Sequence, residues 1–270
     1  MLGGFSALYF LTNFFLNWSD GKIKFYLIYN FIAGHKNMNN PITETINPKA
    51  AVLFSCLAAF GQREIITMDW DVVKDIVKED PDGVRELVSR LSAPTLDTTL
   101  TYNDRIIAFY GQSLLSEGRE AALVDDMSKL FSKEDYANAL IKAREALAVN
   151  PLNLRALDRA GMCIALLIES GDTSYSKDEA KLYFNRAMRI YNTIAMTGLG
   201  DEEYPFCVTS VADEYEFMRN YLELYEYESQ ALVGVCDVFT LKETSEYYSD
   251  KKIYFDATRP LEMLAKALGQ

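Results

Sequence analysis

The feature that most constrains the fold is the run "KEDYANALIKAREALAVNP" at residues 133–151. Within it Tyr136, Ala139, Leu140, Ala143, Ala146 and Leu147 recur at helical spacing and make one apolar face. Ser132 with Asp135 predicts the helix start, and Asn150-Pro151 predicts its end. Helix signals recur on both sides. Asp69 is a cap for Trp70–Lys78, and Asp80-Pro81-Asp82 stops that helix and opens the next. Thr101 with Asp104 forms a capping-box variant before "RIIAFYGQSLL". Downstream, "LRALDRAGMCIALLIES" stops at Gly171, and Ser176 with Glu179 opens "AKLYFNRAMRIYNTIAM".

After Gly200 the pattern changes. "FCVTSVA", "ALVGVCDVFTL" and "KKIYFDAT" are short and rich in β-formers, with the helical run "DEYEFMRNYLELY" between the first two. Thr258 followed by Pro260 opens a last helix over Leu261–Leu268. The expected class is α+β, mainly α: helical repeats over 66–200, then a small antiparallel sheet subdomain over 201–270.

The helices carry a repeat. Ala139, Ala146 and Pro151 sit at the spacing of a tetratricopeptide second helix, where small residues allow close packing and proline ends the repeat. Leu157, Ala160, Gly161 and Ile164 fit the first helix of a following repeat, and Ala180, Phe184 and Ala187 its second helix, after a seven-residue insert at "GDTSYSK". Residues 120–197 thus resemble the tetratricopeptide family. The wider order, a "FYG" helix, "NPLNLRAL", "VTSVADEYEFM", "CDVF" and "IYFDAT", resembles an exported bacterial family known as domain of unknown function 4919, over roughly 68–267. That resemblance implies a fold and export, and no activity. The chain departs from the family's pattern in its longer "GDTSYSK" insert and in "GLGDEEYPFC", where the family has a glycine-rich turn.

The first sixty residues read differently. Residues 1–37 are dominated by Phe, Tyr, Leu, Ile, Asn and Lys, and read as an upstream stretch translated in frame. The alternative is a membrane anchor, since Met1–Ser19 carries no charged side chain. Residues 38–61 read as a signal peptide: Lys49, the short apolar run Ala50–Phe60, then Ala59 and Gly61 as small residues before cleavage at Gln62. The expected location is periplasmic or secreted, with a membrane-anchored form as the alternative.

Composition excludes several chemistries. His35 is the only histidine, so the chain from Gln62 onward has no Ser-His-Asp or Cys-His pair and no imidazole ligand. Cys56, Cys163, Cys207 and Cys236 form no C-x-x-C, and no metal or cofactor is expected. Cys207 and Cys236 lie on neighbouring strand candidates and pair only if the register sets them opposite. From Gln62 onward 23 Lys and Arg stand against 37 Asp and Glu, a net charge of -14, which argues against nucleic acid and against an anionic membrane surface for the mature form.

The expected function is an exported, non-enzymatic interaction module whose helical-repeat groove takes a peptide or protein segment. A carboxylate clamp is unsupported at the corresponding groove positions, Asp158 and Met162, beside Arg155, so a basic or apolar segment is the expected partner. The alternative is an enzyme using carboxylates alone, such as a glycan hydrolase. Asp213, Glu214 and Tyr215 of "ADEYEF" are its most tempting residues, although Asp213 also reads as a helix cap. Asp237 and Asp256 are further carboxylates that could meet across the sheet.

Overall fold

The computed structural model describes residues 12–19, 22–29 and 65–269. The chain divides into two compact units, Met1–Gly61 and Gln62–Gln270. In the first, β1 (Thr12–Ser19) and β2 (Lys22–Tyr29) form an antiparallel hairpin with Thr12 opposite Tyr29. The segment 38–61, expected from the sequence to be a signal peptide, lies outside the described residues, as does the rest of 1–37. Among the described residues no helix is long and apolar enough to cross a membrane.

The second unit begins with seven helices: α1 (Trp70–Glu79), α2 (Pro81–Ser92), α3 (Tyr102–Ser116), α4 (Ala121–Ser132), α5 (Tyr136–Val149), α6 (Leu154–Glu169) and α7 (Lys177–Ala195). Their starts follow the capping chemistry. Asp69 accepts from the Asp71 and Val72 amides, Asp80 accepts from Gly83, and Thr101 and Asp104 close a full capping box. At α5 the cap is Asp135 alone; Ser132 ends α4, its hydroxyl bonded to the Ser128 carbonyl. At α7, Ser176 accepts from the Glu179 amide, but the Glu179 carboxylate turns away to Arg144 at 2.7 Å.

From α4 to α7 each helix packs on its neighbour in sequence, and α4 also touches α6. The small residues at these crossings are buried: Ala139, Ala143, Ala146, Ala160, Ala180 and Ala187. Gly161 shows why the size matters. A Cβ there would meet the Phe184 ring at 2.8 Å, so the α6–α7 crossing closes on bare backbone.

The remaining elements are β3 (Phe206–Cys207), α8 (Val211–Asn220), β4 (Tyr227–Val233), β5 (Cys236–Leu241), β6 (Lys252–Asp256) and α9 (Thr258–Ala267). The sheet order is β3-β6-β5-β4. It is mixed rather than wholly antiparallel: β4, β5 and β6 alternate in direction, while β3 runs parallel to β6, reached by the long connection through α8, β4 and β5. The run "ALVGVCDVFTL" is not one strand. Gly234, at φ +64°, with Val235 folds it into a two-residue hairpin loop, and β4 extends back to Tyr227. Likewise α8 stops at Asn220, so "YLELY" is not helical.

The sheet is bolted to the helices. The Tyr110 hydroxyl of α3 donates to the Cys207 carbonyl at 2.7 Å. From α9, Arg259 donates to the Ser113 carbonyl at 2.8 Å, and Glu262 accepts from Lys74 of α1 at 2.7 Å. Phe206, Phe239 and Phe255 line one sheet face; Phe217 packs on Phe206 and Phe255, and Tyr215 on Phe239.

Candidate functional site: the two faces of α8 and the open edge of the sheet

α8 begins at Ser210, which forms a capping box with Asp213. Asp213 Oδ2 accepts from the Thr209 amide, the Thr209 hydroxyl and the Ser210 amide at 2.7–3.1 Å. Asp213 is therefore committed to holding the helix start. Burial raises its carboxyl above the ordinary value while these donors pull it back.

One face of α8 turns to the helices. Glu216 is fully buried, and its Oε1 accepts from Arg155 Nε at 3.0 Å and Arg159 Nη2 at 3.4 Å. One helical turn on, Asn220 Nδ2 lies 3.1 Å from Glu216 Oε2, 3.1 Å from Asp158 Oδ2 and 3.0 Å from the Tyr191 hydroxyl. Tyr191 in turn donates to Asp158. Burial first, and the Glu216 charge second, raise the Asp158 carboxyl to about 7. Of the expected groove residues, Arg155 and Asp158 are thus brought together, but by α8 of the same chain. Asp158 is buried, and half-buried Met162 accepts a contact from Arg159 at 3.3 Å.

The opposite face turns to the sheet. Glu214 is fully buried, and neither carboxyl oxygen has a donor from a neighbouring residue. Asp237 on β5 stands against it. Burial first, then the Asp237 charge, push Glu214 up to about 9, so it keeps its proton at neutral pH and supplies its own donor. Tyr215 lies beside it, with its hydroxyl donating to Gln230 Oε1 of β4 at 2.7 Å. Asp213 and Glu214 do not converge. Nor do Asp237 and Asp256: Asp237 is opposite Phe255 and Asp256 is opposite Cys236, so they occupy successive rows with opposite facing. Asp256 caps α9 by accepting from the Thr258 amide at 2.8 Å. Cys207 and Cys236 each face Asp256 from either side of β6, two strands apart, and both are free thiols.

The third element of the site is β4. It is the sheet's outer strand, and all seven of its residues are exposed. Leu232 and Val233 are 55% and 57% exposed, and Val235 in the turn is 53% exposed. Glu226 and Glu228 lie at the other end, with Glu226 paired to Lys242 at 3.0 Å. Natural edges of this length are normally shortened, charged or covered.

The model of a family described as "Domain of unknown function (DUF4919)" matches residues 80–266. The chain belongs to that family. No curated protein and no solved structure matches it. The matched region takes in α8, β4 and β5 together, so the site lies wholly within the family domain.

Proposed function

We propose that the protein is a non-enzymatic interaction module that takes an extended protein segment by strand addition to β4. The observation that carries this is the edge itself: seven residues, open on their outer side, exposed throughout. Main-chain hydrogen bonds along such an edge supply affinity, and the side chains on either face supply selectivity. An acidic end at Glu226 and Glu228 and an aliphatic end at Leu232 and Val233 suit a partner that is basic at one end and apolar at the other. The tetratricopeptide-like helices then serve as the scaffold, with α8 seated where a groove ligand would have lain. Export by the segment 38–61 belongs to the same reading, and N-terminal mass spectrometry of natively expressed protein tests it: a mature start at Gln62 supports export, and a Phe60–Arg63 peptide in most of the material defeats it.

The carboxylate-enzyme reading draws on Glu214, whose raised value suits a general acid. Its complete burial supports a role in packing α8 on the sheet instead.

A fluorescent ten-residue valine–lysine peptide, lysine-rich in one half and valine-rich in the other, is the probe for the edge. Binding to the wild type, weakened at least tenfold by Leu232→Lys and by a proline in the peptide centre, supports strand addition. Equal affinity for wild type and Leu232→Lys refutes it.

A further inference from the structure

α8 carries carboxyl groups on both of its packed faces. Asp213, Glu214 and Glu216 are three of its ten residues, and all three are buried. Asp158 of α6 stands against one face and Asp237 of β5 against the other. Five carboxyl groups thus meet at one short helix. The guanidinium groups of Arg155 and Arg159 both go to Glu216, at 3.0 and 3.4 Å. Among the described residues no lysine or arginine forms an ion pair with Asp158, Asp213, Glu214 or Asp237, and Arg219, the basic residue of α8 itself, is exposed.

If every carboxyl were ionised, five negative charges would face two positive ones in a largely buried joint, which a low-dielectric interior does not tolerate. Neutral donors relieve part of this. Asp213 has the Thr209 and Ser210 groups, and Asp158 has Tyr191 and Asn220. The other titratable neighbours are tyrosines: Tyr110 of α3 toward Asp213, Tyr191 of α7 toward Asp158 and Glu216, and Tyr227 of β4 toward Tyr215. Glu214 has no donor at all.

Protons make up the balance. Burial first and a facing carboxylate second raise Glu214 to about 9 and Asp158 to about 7. Each proton is bound while α8 is docked and given up once the helix is released into water, where a carboxyl titrates near its ordinary value of about 4. Protons therefore favour the docked helix. Their contribution is full below about pH 4, and is lost as pH rises through 7 for Asp158 and through 9 for Glu214.

α8 also props the open strand. The Tyr215 hydroxyl donates to Gln230 of β4 at 2.7 Å, and its ring packs on Tyr227 and Phe239. We propose that α8 is a brace held by protons: the Glu214–Asp237 and Asp158–Glu216 pairs release it as pH rises, and β4, losing its support, takes a partner strand less well. The link to β4 rests on the strand-addition reading; the release of α8 does not.

Amide hydrogen exchange of the full chain at pH 6 and pH 8, without peptide and corrected for intrinsic rates, tests the release. Between these values the amides of α8 should lose at least about tenfold more protection than those of α5. Glu214→Gln and Asp158→Asn should each reduce that excess, and together remove it. Should one variant fail to fold, the other decides. Fluorescence titration of the valine–lysine peptide at the same two values tests the link, because lysine stays charged across this range. Affinity should fall at least about threefold from pH 6 to pH 8 in the wild type and less in the variants. Equal loss of protection in α5 and α8, or an excess that both variants keep, overturns the proposal. Release of α8 with unchanged peptide affinity overturns its link to β4. No peptide binding at either pH refutes strand addition, and the exchange result then decides the brace.

Discussion

At one edge of the sheet β3 is two residues long and buried; at the other β4 runs seven residues with every side chain exposed. The contrast extends to the backbone. At β3 the Cys207 amide donates to the Thr197 hydroxyl at 2.8 Å and its carbonyl accepts from Tyr110 at 2.7 Å, so side chains from the helical region close that edge. At β4 no further strand follows among the described residues. An edge strand offers the same unmet amides and carbonyls wherever it stands. This fold closes one edge with a short strand and two dedicated hydroxyls, and leaves the longer edge open. The difference teaches that openness at β4 is not a general property of the sheet.

The largest effect should come from the closed edge. Phe206→Ala removes a ring packed between Phe217 and Phe255, and should cost about 3–5 kcal/mol in urea unfolding. A loss under about 1 kcal/mol would mean the β3 edge is not built into the core, and the contrast would collapse.

The second effect concerns the sheet face beneath α8. Glu214 is held at about 9 in the folded state, above its ordinary 4.5. A folded carboxyl raised in this way keeps a proton that the unfolded chain gives up. Stability is therefore full below pH 4.5 and is lost as pH rises through 9. Between pH 6 and 8 the wild type should lose about 2–3 kcal/mol from this group. Glu214→Gln keeps the shape and removes the titration, so its stability should fall less over that range. Asp158, raised to about 7, adds a separate decline at lower pH that Glu214→Gln leaves in place. Parallel curves for the two proteins would show that Glu214 is ionised in the fold.

Much of the helical frame was legible because its signals are local. Asp69, Asp80-Pro81 and the Thr101–Asp104 pair mark helix starts within a few residues, and each forms the cap its position implies. The Asp213 cap was legible for the same reason. The network around Glu216 was not. Its partners Arg155, Arg159 and Asp158 lie about sixty residues away, and only the fold brings them to one place. A faint signal existed: Glu216 and Asn220 are four apart, beside Phe217, on the side of α8 that the apolar residues mark as buried. β4 was legible only in part, for another reason: the β-rich run "ALVGVCDVFTL" takes in Ala231–Val233 but not Tyr227–Gln230. Exposed on both faces, it lacks the apolar–polar alternation that marks a half-buried strand, and Gly234 sits without the Asn-Gly or Asp-Gly pair that announces a hairpin.

A smaller effect sharpens the account of the closed edge. Thr197→Val keeps the side chain's volume but removes the acceptor for the Cys207 amide, and should cost about 1–3 kcal/mol by the same unfolding assay. The smallest belongs to the open edge: Leu232→Lys should change stability by less than about 0.5 kcal/mol, because the side chain has little packing to lose. A loss comparable to that of Phe206→Ala would make β4 a structural strand.

The central claim is that β4, and not the helical groove, receives the partner. Amide hydrogen exchange of the full chain, with and without the valine–lysine peptide, tests it residue by residue. The account predicts that amides of Tyr227–Val233 exchange at least tenfold more slowly with peptide present, while those of Arg155–Met162 are unchanged. Protection that appears over Arg155–Met162 and leaves β4 untouched would contradict it.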